Sequence, residues 1–194
     1  EYMEGTRLQD VLADPGAFDV SAIATRGAQA VLKQVLRDGL FHADPHPANI
    51  FILPGGVICL LDFGSVGRVD RRLRDSLVRL LDAVAREDAE RLASAILSIG
   101  RPLKALDSAQ LGRDLADLID GYAGVAVRDL SIASLLQDAL AVMRRHRLQF
   151  PSDLMLLVRA FVTIEGVARR LDPTFNMLEH ARPVVTEILR DRMA

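Results

Sequence analysis

Residues 42–49 read HADPHPAN, two apolar runs separated by Pro-Gly-Gly fill residues 50–61, and residues 62–64 read DFG. Short apolar runs joined by a Pro- and Gly-containing loop are typical of a β-hairpin. The sequence therefore predicts a hairpin whose first strand begins after Asn49 and whose second strand ends before Asp62. Because these two positions lie at the same end of a hairpin, we expect the two side chains to lie close together.

The residue types in the two motifs suit phosphoryl transfer. That reaction needs negative charge neutralised and reacting atoms held in line, so it uses metal-holding side chains beside a residue that faces the attacking hydroxyl. An Asp followed five positions later by Asn, with a second Asp opening DFG, provides such a set. Asp44 is predicted to face the hydroxyl, and Asn49 and Asp62 are predicted to hold a metal. A single Asp in a Pro-rich loop often caps a turn, but the spacing of all three favours the catalytic interpretation.

The histidines of the loop are open to more than one interpretation. His42 is predicted to fix the backbone through hydrogen bonds. His46 lies two residues after Asp44, where many kinases place a Lys that touches the transferred phosphate, so it is a second candidate catalytic residue. The alternation of these three residues would also fit a phosphohydrolase metal centre. That alternative needs further ligands, and His146 and His180 lie on distant predicted helices.

The rest of the chain predicts a mainly helical protein without a basic surface. Of the 194 residues, 50% are hydrophobic and the net charge is −2, which argues against nucleic-acid binding. The single cysteine, Cys59, fits a reducing compartment. After residue 67 the apolar residues recur with helical period. The most apolar stretch, residues 154–167, is interrupted by Arg159 and Glu165, so no membrane span is predicted, and these two residues are expected to make a buried ionic contact.

The HADPHPxN string, the DFG and the later Arg169-Arg170-Leu171-Asp172-Pro173 resemble the UbiB/AarF family of atypical protein-kinase-like proteins. The resemblance implies a protein-kinase-like C-lobe, mainly α with one small β-hairpin, as the α+β part of a full kinase fold. Residues 1–70 would be the hinge, catalytic loop, hairpin and DFG, and residues 71–194 a helical subdomain. The family's N-lobe would precede Glu1, so we expect the 194 residues alone to hold half of an active site and to be inactive.

The resemblance also implies ATP and Mg²⁺ as cofactors. Asp44 would be the catalytic Asp, and Asn49 and Asp62 the Mg²⁺ ligands. Adenine would meet the hinge, and two apolar hairpin residues that we expect in the core could also form the floor of its pocket. The cofactor-binding candidates are accordingly Tyr2, Met3, Phe51 and Leu61.

The family is associated with isoprenoid-quinone biosynthesis and lipid homeostasis. The resemblance therefore implies an ATP/Mg-dependent atypical kinase or ATPase, cytoplasmic and membrane-associated through parts outside these residues. Its partners would be nucleotide and either lipid or quinone-biosynthesis proteins, with no nucleic acid. Two departures from the family's pattern stand out: Ala48 replaces its usual Gly, and the N-lobe would lie before Glu1. The loop also has Ala43 where a kinase H-R-D motif has Arg, so no phosphorylated activation loop is expected.

Two other functions remain open at this point. A small-molecule phosphotransferase of the aminoglycoside or choline kinase type resembles this chain at H-x-D-x-x-x-x-N and the second Asp. A nucleotide-binding pseudokinase scaffold would bind without turnover. Pro45 and the segment Leu171-Asp172-Pro173 favour the UbiB/AarF assignment over the first alternative, and the intact Asp44, Asn49 and Asp62 argue against the second.

Overall fold

The structure is a computed structural model that describes residues 3–86, 88–103, 105–122 and 131–191. Its helices are α1 (Leu8–Ala13), α2 (Val20–Lys33), α3 (Arg71–Ala85), α4 (Ala89–Ile99), α5 (Ser108–Tyr122), α6 (Ile132–Arg145), α7 (Ser152–Leu171) and α8 (Met177–Asp191). Its strands are β1 (Thr6–Arg7), β2 (Leu40–His42), β3 (Ile50–Leu53), β4 (Val57–Leu60), β5 (Val66–Arg68), β6 (Arg101–Pro102) and β7 (Leu148–Gln149). The predicted mainly helical fold is confirmed.

The predicted hairpin is formed by β3 and β4, which pair antiparallel with Ile50 opposite Leu60 and Phe51 opposite Cys59. The prediction of a single hairpin was incomplete. Strand β1 adds to the free edge of β3, β2 pairs with β5, and β6 pairs with β7. These additional strands have only two or three residues, too few to show an alternating hydrophobic pattern.

Helix α2 lies at the centre of the hydrophobic core. Its apolar stripe is buried and packs against α7 and α8. Residues 34–38 continue it as a π-helical turn, which ends at Gly39 in the left-handed conformation with φ of 73°. A side chain at position 39 would collide with the backbone oxygen of Val69, so glycine is required there for two reasons. The turn delivers the chain directly into β2 and the HADPHPAN loop.

The C-terminal helix begins earlier than its sequence pattern indicates. The apolar residues of 184–193 predict a last helix over that range, whereas α8 starts at Met177 and contains Pro183. Asn176 accepts a hydrogen bond from the Glu179 backbone N–H and so supports the first turn. Burial of apolar residues on both sides of Pro183, including Met177 and Val185, offsets the missing backbone donor.

The two charged residues of α7 are used differently from the prediction. Glu165 is buried and pairs with Arg169 of the same helix, with 3.4 Å between Oε1 and Nη2. Arg159, by contrast, is exposed and its side chain reaches Asp44, so the expected buried contact holds for Glu165 and is wrong for Arg159. No helix in the described ranges combines the length and the hydrophobicity needed to cross a membrane.

Candidate active site

The loop that carries Asp44 is anchored by the buried imidazole of His42. The backbone N–H of His42 donates to Oε1 of Gln34, which lies in the π-helical turn, at 3.1 Å. The ring Nδ1 accepts from the Asp44 backbone N–H at 3.2 Å, and Nε2 lies 2.8 Å from the carbonyl oxygen of Leu61. These contacts require a neutral imidazole with its proton on Nε2. One side chain thus joins the loop to the end of the hairpin.

Asp44 and Asn49 lie together, at the end of the hairpin from which Asp62 leaves. The side-chain amide of Asn49 donates to the backbone oxygen of Asp44 at 3.3 Å. The backbone oxygen of Asn49 accepts from the N–H of Leu61 at 2.8 Å, so Asp62 follows a residue that is hydrogen-bonded to Asn49. The Asp44 side chain is 42% exposed. The three polar side chains therefore originate from one open end of the hairpin.

Asp62 has an unusual backbone conformation. Its φ is 57°, in the left-handed region that Asp tolerates better than most residues. Its Oδ1 accepts from the Gly64 backbone N–H at 3.2 Å, and the residue is exposed. The following Phe63 ring lies 5.1 Å from the His42 ring. Asp62 thus forms an Asx-turn that leaves its carboxylate exposed beside the end of the hairpin.

His46 makes contacts within its own loop. The ring Nδ1 of His46 accepts from the Ala48 backbone N–H at 3.3 Å. The backbone N–H of His46 donates to the backbone oxygen of Asp44 at 2.8 Å. These bonds support the short 3₁₀ turn of residues 47–49. The side chain is exposed, and its role as a catalytic residue stays a prediction.

Arg159 is a site residue that the sequence did not identify. Its Nη2 lies 3.4 Å from Oδ1 of Asp44, although the two residues are 115 positions apart. The sequence marked Arg159 only as a charge on an otherwise apolar helix. The sequence spacing gives no link between Arg159 and the loop that carries Asp44. The packing of α7 beside β5 brings the two residues together.

The apolar cofactor-binding candidates lie on one face of the hairpin. Ile52 is buried on the face toward α2, whereas Phe51 is half-buried on the opposite face, with the Arg7 guanidinium 5.9 Å from its ring centroid. Leu61 is also half-buried, and strand alternation assigns it to the face of Phe51. Met3 is half-buried near the start of the described chain, and Tyr2 lies outside the described residues.

The donor set fits Mg²⁺ held together with phosphate better than a metal held by protein alone. Within the part of the chain that the structure describes, no three His, Cys, Asp or Glu side chains come together as a metal cluster. The amide oxygen of Asn49 and the carboxylate of Asp62 are hard oxygen donors, which would suit Mg²⁺. Mg²⁺ typically takes one or two such ligands and completes its shell with water and substrate phosphates.

A hairpin flanked by an Asp-x₄-Asn loop and a DFG, on a helical body, defines a kinase-like fold. Comparison with known families agrees. The ABC1 atypical kinase-like domain matches residues 1–96, and the UbiB helical domain matches residues 115–176. The chain belongs to the UbiB/ABC1 family of atypical kinase-like proteins.

Similar proteins occur in cyanobacteria and plants. An uncharacterised Synechocystis protein is 31% identical over 194 residues, covering 98% of this chain and 33% of the relative. The chloroplastic protein ACTIVITY OF BC1 COMPLEX KINASE 7 of Arabidopsis thaliana is 31% identical, covering 97% of this chain and 28% of the relative. The chain thus spans about a third of the length of these relatives.

A solved structure shares the fold. A Mycobacterium tuberculosis protein, determined as a complex with erythromycin, superimposes with a TM-score of 0.57 at 17% identity. The match covers 89% of this chain and 45% of that protein.

Proposed function

We propose that this chain carries the catalytic-loop half of an ATP- and Mg²⁺-dependent atypical kinase or ATPase. The observation that carries the proposal is the common origin of Asp44, Asn49 and Asp62 at one open end of the β3–β4 hairpin. Residues 1–70 would supply this site, with residues 71–194 as the helical subdomain of a kinase C-lobe. Tyr2 and Met3 would form the hinge that meets adenine.

Each side chain has a defined task in this proposal. Asp44 is fixed through its backbone N–H to His42 while its carboxylate stays accessible, as a group that accepts a proton from a hydroxyl must be. Asn49 and Asp62 hold Mg²⁺ with the nucleotide phosphates, and Phe51 and Leu61 provide an apolar floor for the base. When bound, Mg²⁺ and ATP supply the transferable phosphoryl group and neutralise its charge.

The proposed biological setting is taken from the family resemblance. We propose a role linked to isoprenoid-quinone biosynthesis or lipid homeostasis, at the cytoplasmic side of a membrane that other parts of the protein contact. Lipid or quinone-biosynthesis proteins would be its partners. The plant relative, whose name ACTIVITY OF BC1 COMPLEX KINASE 7 contains the word kinase, supports the enzymatic side of this proposal.

The test is nucleotide binding and turnover by the natural full-length protein. We expect Mg²⁺-dependent ATP binding, measured by calorimetry. Asp62→Asn should abolish the Mg²⁺-dependent part of it. Asp44→Asn should bind as the wild type does but turn over about 10²-fold more slowly or worse, because it removes the proton acceptor. Asp120→Asn, which changes an exposed carboxylate of α5, is the matched control.

Two results would contradict the proposal. If the wild-type protein binds no Mg-ATP, the nucleotide site is wrong. If it binds Mg-ATP but Asp44→Asn leaves a measured turnover unchanged, the assignment of the catalytic residue is wrong. Binding without any turnover in the wild type would instead identify a pseudokinase scaffold.

A further inference from the structure

The HADPHPAN loop contributes no permanent positive charge to the site. Residues 42–49 contain neither Lys nor Arg. His46, the residue of this loop predicted to touch the phosphate, uses its Nδ1 as an acceptor for the Ala48 N–H. Phosphoryl transfer develops negative charge on the equatorial oxygens of the transferred group, and enzymes place cationic donors against that charge. A cation from another element would supply what the loop lacks.

Arg159 of α7 lies where such a cation is needed, beside the Asp44 carboxylate. Its Nη2 is 3.4 Å from Oδ1 of Asp44, and 66% of its side chain is exposed. A guanidinium has five N–H donors, and the contact with Asp44 uses one, so donors remain for a second acceptor. The base of the side chain is held firmly, because Val158 and Ala160 are buried and the Arg159 carbonyl lies within α7.

A structural role alone does not account for the pair. Both side chains are largely solvent-accessible, with exposed fractions of 66% for Arg159 and 42% for Asp44. Ion pairs of this kind add little to stability, because water and salt screen them.

We propose that Arg159 is a further catalytic residue, whose guanidinium contacts the terminal phosphate of the bound nucleotide. This inference rests on the proposed function. The reacting phosphorus must come within about 3–3.5 Å of the acceptor oxygen that Asp44 faces, which places the phosphate oxygens within reach of Arg159. Asp44 takes the proton of the acceptor hydroxyl while the oxygen of that hydroxyl forms its bond to phosphorus. The bond from phosphorus to the bridging oxygen breaks, its electron pair leaves with ADP, and Arg159 donates to the equatorial oxygens throughout.

The experiment compares Arg159→Gln, Arg159→Lys and Arg170→Gln in the natural full-length protein. Arg170 lies on the same helix and is exposed, so its variant is matched in charge and location. The readouts are the affinities for Mg-ADP and for a non-hydrolysable Mg-ATP analogue, and the turnover rate. We expect Arg159→Gln to lower turnover about 10- to 100-fold and to weaken the ATP analogue severalfold without changing Mg-ADP. Arg159→Lys should restore part of both, and Arg170→Gln should match the wild type.

The outcomes separate this inference from the proposed function. If wild-type protein binds and turns over Mg-ATP but Arg159→Gln behaves identically, the inference is overturned and the proposed function stands. If Arg159→Gln weakens both nucleotides equally and lowers the melting temperature, Arg159 supports the loop structurally and the inference fails. If the wild-type protein does not bind Mg-ATP, the proposed function fails first and the inference with it.

Discussion

Around the β3–β4 hairpin the carboxylates of Asp44 and Asp62 are open to solvent, whereas two carboxylates in the bundle of α5, α6 and α7, Glu165 and Asp114, are enclosed by protein. Asp44 and Asp62 keep accessible carboxylates. Glu165, in contrast, is only 2% exposed, and its Oε2 accepts from the Ala133 N–H at 2.7 Å and from Ser131 Oγ at 3.0 Å. It therefore supports the N-terminus of α6, where a carboxylate is favoured by unpaired N–H groups.

The second enclosed carboxylate joins two helices. Asp114 of α5 accepts from His146 Nε2 at 2.9 Å, from Arg145 Nη1 at 3.0 Å and from Gln110 Nε2 at 2.7 Å. Its hydrogen-bonding capacity is thus largely used by the protein. The comparison teaches that residue type alone does not distinguish a carboxylate of the candidate site from a structural one. The two groups differ in the number of hydrogen bonds that each carboxylate accepts from the protein.

The largest stability loss is expected for Glu165→Leu. The change leaves the Ala133 N–H and the Ser131 hydroxyl without their acceptor in a buried place, which should lower the free energy of unfolding by about 3 kcal/mol. Urea unfolding of the full-length protein, with hydrogen exchange measured on α6 and α7, would show it. Glu165→Gln keeps an acceptor and should lose less. A change below about 1 kcal/mol for Glu165→Leu would show that the carboxylate is not structural.

His42→Leu should give the next largest loss of stability, and it should also disturb the candidate active site. The Asp44 N–H loses its acceptor and the Leu61 carbonyl loses its donor, which together should cost about 2 kcal/mol. Because the same bonds position Asp44 and the hairpin end, turnover should fall more than stability alone explains. Urea unfolding and turnover of the full-length protein measure both quantities.

His46→Ala provides the comparison for stability within the same loop, since that side chain is exposed and should change the unfolding free energy little. An equal loss of stability for His42→Leu and His46→Ala would contradict the anchoring role of His42.

Asp114→Asn should give the smallest effect, visible mainly in the pH dependence of stability. Hydrogen bonds from His146 first, then from Gln110, lower the pKa of Asp114 from 3.8 to about 2. A lowered pKa stabilises the folded state above about pH 4, and this contribution is lost as the pH falls from about 4 to 2. The variant should have a lower melting temperature than the wild type at pH 7. Its melting temperature should fall less than that of the wild type as the pH drops from about 4 to 2. Thermal melts from pH 7 to pH 2 test this.

Asp117→Asn, on the exposed face of α5, is the matched control for the pH experiment. If both variants follow the wild-type acid profile, Asp114 does not carry the acid-side stability.

Much of the hairpin and its motifs could be predicted from sequence because the signals are local. The Pro-Gly-Gly turn and its two apolar runs define β3 and β4, and the register then fixes which end Asn49 and Asp62 share. The short pairings β2–β5 and β6–β7 could not be predicted, since strands of two or three residues carry no period. The start of α8 was missed because burial outweighed the usual meaning of Pro183 as a helix start.

The sequence by itself determined the family, the helical class, the hairpin and the positions of Asp44, Asn49 and Asp62 along it. The hairpin and the three site positions depend on spacing within about twenty residues, where chain geometry leaves little choice. Only the tertiary structure decided which charges meet across the fold: Arg159 with Asp44, Glu165 with the start of α6, and Asp114 with His146. Such contacts join residues 32 or more positions apart, and they depend on how whole helices pack. Helix packing is determined by the total apolar surface that is buried. The sequence around one charged residue therefore does not indicate which residue it will contact.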